Sequence, residues 1–243
     1  MKSRLTRTRL GAVIGVAVLS VAIPKLAFPD SAKIQEPGPT TTESGAPKTE
    51  SGTPTAESSG PTMVVDALHE NLISVMKDAE TLGYDGRFEQ LKPVIGELFD
   101  IPFMAEKSVG RYWKTVDEAN RGDLLTTFGR FTVANYAGRF TGYSGQFFET
   151  FKEKESRHGT VLVYSRLVSG DGEIVQLNYR LRPAKGDGWR IIDVLLNGTV
   201  SELALRRSEY SSLIQREGFA ALMTALNKRI DDLAEGKVAN RPS

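Results

Sequence analysis

Residues 173–196, EIVQLNYRLRPAKGDGWRIIDVLL, determine the fold class of this chain. In the first half of this stretch, apolar and polar side chains alternate, which places Val175, Leu177 and Tyr179 on one face of a strand. The Gly-Asp-Gly run at 186–188 marks a turn, and a second apolar run follows it. The stretch therefore predicts two antiparallel strands with one face toward an apolar interior and the other toward water.

Two more predicted strands precede this pair. Residues 146–154 and 160–168 are rich in Val, Leu, Tyr and Phe, and they are bounded by turn sequences at 157–159 and 169–172. Four consecutive strands joined by short turns predict a curved antiparallel meander.

The segments before and after the predicted strands are predicted to be helical, because apolar residues recur in them at intervals of three and four. The predicted helices cover 65–79 with an end near Gly83, 88–99, 103–110, 117–139, and a C-terminal region that Ser201 caps and Gly218 divides. Residues 117–139 carry two apolar stripes, so this helix needs partners on two sides. The fold class is α+β, a curved four-stranded antiparallel sheet wrapped by helices.

The N-terminal part of the chain differs from the rest in composition. Residues 1–28 carry five basic and no acidic side chains, with an uncharged run at 10–23 that is short for a membrane span, so they predict a signal peptide or an N-terminal anchor. Residues 29–62 contain six prolines among Ser, Thr, Gly and Glu, which predicts a disordered linker. Residues 63–243 are the predicted folded domain.

Composition and motifs argue against several kinds of chemistry. The 31 Lys and Arg balance 30 Asp and Glu, which disfavours nucleic-acid binding, and the lack of cysteine removes thiolate sites. His69 and His158 are the two histidines, and neither has a neighbour at metal-ligand spacing. We therefore predict no metal, no cofactor and no catalytic residue. Asp193 is the one carboxylate expected among apolar neighbours, and we expect it to accept hydrogen bonds from the backbone or an arginine.

The region after the second hairpin strand has distinctive sequence motifs. GWRIIDV (188–194) is followed by Asn197-Gly198, by ELALRRSEY (202–210) and by Gly218-Phe219. GRYW (110–113) and the region from Phe128 to Ala137 add to the pattern. With these motifs the chain resembles the MlaC family of periplasmic phospholipid carriers, also described as toluene-tolerance proteins, over nearly everything after the linker. The stretch 202–210 is most similar to the hopanoid-biosynthesis-associated branch, HpnM.

The resemblance implies a fold, a location and partners. The implied fold is NTF2-like or cystatin-like, with a deep apolar cavity between sheet and helices. The implied function is a lipid carrier in the periplasm that is not an enzyme and exchanges cargo with an inner-membrane ABC transporter complex and an outer-membrane lipoprotein complex. A phospholipid or a hopanoid is the expected cargo, and a monomer is the expected state. An uncleaved signal segment would tether the domain to the inner membrane.

The expected cavity lining combines the apolar face of the sheet with the helices above it. The predicted lipid-binding residues are Phe99, Phe103, Tyr112, Phe128, Val163, Leu177, Tyr179, Ile192, Val194 and Leu222.

Two alternatives remain open from the sequence. One is an NTF2-like enzyme acting on an apolar polycyclic lipid, with Asp193 or Tyr179 as acid or base. The other is a non-enzymatic adaptor whose apolar groove binds a partner helix.

Overall fold

The computed structural model describes residues 60–186 and 188–237 of the protein. The helices are α1 (Pro61–Lys77), α2 (Ala79–Leu98), α3 (Ile101–Val109), α4 (Glu118–Arg139), α5 (Glu202–Glu217) and α6 (Phe219–Ala234). The strands are β1 (Phe147–Glu155), β2 (Val161–Val168), β3 (Ile174–Pro183), β4 (Trp189–Leu196) and β5 (Val200–Ser201). Short 3-10 helices occupy Gly110–Lys114 and Arg157–Gly159. The predicted signal segment and nearly all of the predicted linker lie outside the described residues.

The strands form one antiparallel sheet in the order β1-β2-β3-β4-β5. The four predicted strands are present, but a sheet of four strands is wrong, because β5 pairs with the end of β4. This strand has only two residues, too few to show an alternating pattern. The chain reverses before β5 at Asn197 and Gly198, which both have positive φ.

Register shifts interrupt the sheet at two places. One lies between Thr150 and Lys152 in β1, and the other lies between Arg180 and Leu181 at the pairing with β4. Such bulges bend the strands that carry them. Ile192 is the extra residue of the second bulge, because Ile191 pairs with Leu181 and Asp193 pairs with Arg180.

Helix α1 covers the inner face of the sheet. Val65, Leu68 and Leu72 are fully buried, and the helix runs antiparallel to β1, with Thr62 bonded to Glu153 and Asp66 bonded to Thr150. The first helix ends at Lys77 instead of continuing to 79, and the chain continues directly into α2, which begins nine residues earlier than the predicted 88. Gly83 has non-helical backbone angles, with a φ of 59°, so the helical run breaks at the predicted position, between the first turn of α2 and the rest of that helix.

Helix α4 has the two neighbours that its sequence requires. It packs against α2 on one side and against α6 on the other. Arg87 of α2 fixes this arrangement, because its guanidinium donates to the carbonyl oxygens of Ala79 and Ala137 at 3.0 Å each.

The C-terminal helices follow the sequence closely. The Ser201 hydroxyl accepts a hydrogen bond from the Ala204 N–H at 2.9 Å and caps α5, as predicted. Gly218, with a φ of 88°, separates α5 from α6. Among the described residues, no helix combines the length and the hydropathy needed to span a membrane.

Candidate functional site

Six aromatic rings form a continuous row between α1, α4 and the inner face of the sheet, and we call them the ring cluster. Its members, in spatial order, are Tyr179, His69, Phe148, Phe140, Tyr136 and Phe99. Successive ring centroids are 5.4, 4.0, 6.2, 5.9 and 5.7 Å apart. Contacts at these distances are favourable for aromatic rings, so the row joins helices and sheet in one apolar layer.

His69 lies in the middle of the row and is 4% exposed. Its ring stacks on Phe148 at an interplanar angle of 6°, and its Nε2 atom is 3.2 Å from the Tyr179 hydroxyl. Burial lowers the pKa of His69 to about 3, because the imidazolium would lose its hydration inside the protein. His69 is therefore neutral at physiological pH and shares one hydrogen bond with Tyr179.

The two tyrosines of the ring cluster are also neutral. Burial raises the pKa of Tyr179 well above its ordinary value, and it raises the pKa of Tyr136 in the same way. The ring cluster thus carries no charge at neutral pH, although it contains three polar groups. Such an environment is compatible with hydrocarbon and unfavourable for ions.

A depression of about 520 Å³ opens at one end of the sheet, beside Phe140 of the ring cluster, and we call it the end depression. It lies between the last turn of α1, the loop that follows α4 and the end of β2. Its lining residues are Met76, Arg139, Phe140, Thr141, Gly142, Tyr143, Ser144, Gln146, Leu167 and Ser169. Phe140 belongs to both features, so the end depression contacts the ring cluster through this one side chain.

A second depression, of about 580 Å³, lies between α4 and α6, and we call it the helix depression. Asn120, Asp123 and Arg130 line one side, and Phe219 and Met223 line the other. It contains no member of the ring cluster. The structure therefore offers one opening that reaches the layer between sheet and helices and another that lies between two helices.

Five of the predicted lipid-binding residues lie at or beside the ring cluster. Phe99 and Tyr179 are members of it. Val163 and Val194 pair with Tyr179 on the neighbouring strands, and Leu177 lies on the same face two residues earlier. The six rings occupy the layer in which the family resemblance implies a deep apolar cavity.

The other five predicted residues lie elsewhere. Phe128 and Leu222 are buried in the hydrophobic core on α4 and α6. Phe103 packs under Arg182, and Tyr112 packs under Arg111, so both rings contact cationic side chains. Ile192 is the bulge residue of β4, which disrupts the alternation on which its predicted orientation depended.

Sequence reasoning missed four members of the ring cluster as site residues. Tyr136 and Phe140 are four residues apart on the second apolar stripe of α4, so the helical pattern contained a signal for both. Phe148 follows Phe147 in β1, and the pattern does not show which of the two faces inward. His69 offered no signal, because a polar residue on an apolar helix face is not evidence of a stacked ring.

The two candidate acid–base residues lie on opposite faces of the sheet. Asp193 pairs with Arg180, whereas Tyr179 pairs with Val194, and adjacent residues of a strand point in opposite directions. The Asp193 carboxylate accepts hydrogen bonds from the Ser201 hydroxyl at 2.6 Å and the Leu203 N–H at 3.1 Å. Burial raises the pKa of Asp193, and these two hydrogen bonds oppose the shift. The expected backbone hydrogen bond is present, and Asp193 anchors the start of α5.

Metal binding has no support in the described part of the chain, which contains no group of three or more histidine, aspartate or glutamate residues placed to hold an ion.

Comparison with known proteins identifies a family and solved structures of similar fold. The family model described as MlaC protein matches residues 66–228. No curated protein sequence matches the chain significantly. The solved structure of a phospholipid-binding protein from Ralstonia solanacearum, in complex with a phospholipid, is similar with a TM-score of 0.63 and 19% sequence identity. The match covers 72% of this chain and 99% of that chain, and it establishes similarity of fold.

Proposed function

Because the chain belongs to the MlaC family, we propose that it is a phospholipid carrier of the periplasm that shelters acyl chains without altering them chemically. The observation that carries the proposal is the uncharged ring cluster, which lies between sheet and helices and reaches the end depression at Phe140. The similar fold of a phospholipid-binding protein supports it.

The energetics of lipid transfer explain why a carrier is needed. Each methylene removed from water contributes about 0.8 kcal/mol, so a chain of about 16 carbons crossing water unshielded costs on the order of 12 kcal/mol. A protein interior of aromatic and aliphatic side chains supplies this shelter without specific polar contacts. We therefore expect weak selectivity for the headgroup and stronger dependence on the apolar walls.

Lipid binding requires the ring cluster to open. Phe140, Phe148 and Tyr136 are only partly buried, whereas Tyr179 and Phe99 are almost fully buried. The first three rings can therefore move outward at lower cost than the last two. We propose that the structure is the closed form of the carrier and that acyl chains take the place of the movable rings.

The finer parts of the proposal follow from the family resemblance. Residues 1–28 would direct export or anchor the chain, and residues 29–62 would link that segment to the folded domain. The proposed partners are an inner-membrane ABC transporter complex and an outer-membrane lipoprotein complex, with a phospholipid as cargo and a hopanoid as a further candidate. The similarity of residues 202–210 to the HpnM branch supports the hopanoid.

Native purification followed by organic extraction and mass spectrometry tests the proposal directly. The protein should release phospholipid or hopanoid in an amount close to its own molar amount. A folded Leu177→Arg variant should retain at most about one fifth of that lipid, because it places a charge on the inner face of β3 beside Tyr179. Gln176→Arg is the matched control, since its side chain is exposed on the outer face.

Two results would contradict the proposal. One is a purified parent protein that contains no lipid, which would favour the adaptor alternative. The other is a folded Leu177→Arg variant that holds as much lipid as Gln176→Arg.

A further inference from the structure

The end depression has a mixed lining of apolar and polar side chains and an exposed tyrosine. Tyr143 is 44% exposed and lies in the loop between α4 and β1. The Lys77 ammonium lies 5.3 Å from the centroid of its ring and holds the ring beside the last turn of α1. Met76 and Leu167 complete the apolar part of the wall. A tyrosine with one apolar end and one polar end suits a boundary between hydrocarbon and water.

The same end of the sheet carries further exposed apolar residues on its outer face. Phe147 is 52% exposed and Ile174 is 53% exposed, and each pairs with Val168 between them. Three large apolar side chains that are exposed in the described part of the chain therefore lie at the same end of the sheet, namely Tyr143, Phe147 and Ile174. Concentrations of this kind mark binding surfaces more often than single exposed residues do.

From the end depression, the ring cluster leads directly inward. Phe140 lines the depression, and the ring centroid of Phe148 lies 6.2 Å from that of Phe140. His69 follows at 4.0 Å and Tyr179 at 5.4 Å, where the interior is almost completely buried. Displacement of Phe140 and Phe148 would join the depression to the centre of the domain.

The loop over the depression can accommodate such a displacement. Gly142 has no atom within 4 Å of the position that a Cβ would take, and Gly145 has a φ of 95°. Gly142 immediately precedes Tyr143, so the backbone can adjust there with little steric hindrance, whereas the Ser144 carbonyl oxygen packs closely against Gly170 and anchors the far side of the loop. Phe140 is the residue at the C-terminal cap of α4, immediately before this loop.

We propose that the end depression is the mouth through which a lipid acyl chain enters the domain, with Phe140 and Phe148 as the rings that move aside. This inference rests on the proposed function, since it places the entry point of the same lipid-binding interior. It assigns Tyr143 to the rim of the mouth. It also excludes the helix depression as the route, because none of the rings between sheet and helices lines it.

Site-specific photocrosslinking in the full chain tests the position of the mouth. The photoreactive residue p-benzoylphenylalanine replaces Tyr143 or Thr141 at the end depression, Met223 at the helix depression, or Phe151 on β1. Phe151 is the matched control, because it is an aromatic residue that is 50% exposed and does not line the end depression. The protein is purified with its bound lipid and irradiated, and the lipid adduct is measured by intact-mass spectrometry. Extraction of a second sample gives the total lipid.

The expected result is an adduct yield at positions 143 and 141 at least about tenfold above the yield at 151, with no comparable adduct at 223. An equal or higher yield at 223 or 151, in samples that contain lipid, overturns the inference and leaves the proposed function intact. Samples that release no lipid on extraction overturn both.

Discussion

Replacing His69 with phenylalanine should remove a large part of the acid sensitivity of this protein. In the folded state burial lowers the pKa of His69 to about 3, whereas its ordinary value is 6.5. Below about pH 6.5 the unfolded chain binds a proton that the folded chain rejects. The contribution of the neutral imidazole to the free energy of unfolding is therefore fully present above this pH, and it is lost as the pH falls toward 3.

The size of the effect follows from the two pKa values. At about pH 5 the unfolded-state imidazole, with an ordinary pKa of 6.5, is protonated about thirtyfold over its neutral form. The parent should consequently lose about 2 kcal/mol of unfolding free energy between about pH 8 and pH 5 through this group alone. The phenylalanine variant should lack this loss. At about pH 8 it should be less stable than the parent by about 1–3 kcal/mol, because the buried Tyr179 hydroxyl loses its partner. This difference should shrink by about 2 kcal/mol at about pH 5, because only the parent carries the histidine.

Urea unfolding of both proteins at several pH values measures the effect. Asp193 has a raised pKa, so its contribution to the unfolding free energy increases as the pH falls, opposite to that of His69. Because Asp193 is present in both proteins, subtracting one stability curve from the other leaves the contribution of His69. His158→Asn is the control, because His158 is exposed in a turn with a φ of 59° that asparagine tolerates. Parallel curves for the parent and His69→Phe would refute the reasoning, and so would a pH effect of His158→Asn equal to that of His69→Phe.

Three further substitutions test other contacts of the fold. Asp193→Ala removes the acceptor of the Ser201 hydroxyl and the Leu203 N–H, and it should lower the unfolding free energy by about 2–4 kcal/mol in urea titrations. The exposed Glu173→Ala should change it by less than about 0.5 kcal/mol, and a similar loss in both variants would show that Asp193 is no anchor. Arg87→Met leaves two buried carbonyl oxygens without their donor and should lower the unfolding free energy by about 2–4 kcal/mol, whereas Lys92→Met at an exposed site should have little effect. Gly170→Ala places a Cβ against the carbonyl oxygen of Ser144 and should lower stability by about 1–3 kcal/mol. Gly142→Ala meets no atom within 4 Å and is its control; equal thermal midpoints for these two variants would contradict the close approach of the two loops.

The sequence predicts most of this fold because its local signals agree with one another. Alternation in β3, the Gly-containing turns, the Ser201 cap and the break at Gly218 all have the predicted effect. The errors arise where local pattern has little information. The two residues of β5 are too few for any periodicity, and no glycine or proline marks the end of α1 at Lys77.

The candidate site was harder to predict than the fold for a physical reason. The sequence predicts that both Phe128 and Phe99 are buried, and both are, but of the two only Phe99 lies between sheet and helices. The bulge at Ile192 interrupts the alternation on which its predicted orientation depended. The position of His69 depends on a ring from β1 and a hydroxyl from β3, and such contacts between distant segments leave no trace in a single sequence.

The stacking of His69 on Phe148 gives the interior its own spectroscopic reporter. An imidazole lying parallel to a benzene ring at 4.0 Å experiences the magnetic shielding of that ring, so its carbon-bound protons should resonate upfield of those of the solvent-exposed His158. With only two histidines in the chain, the two sets of signals are easily told apart. Departure of the Phe148 ring would remove the shielding, and a one-dimensional proton spectrum could then distinguish an empty protein from a filled one.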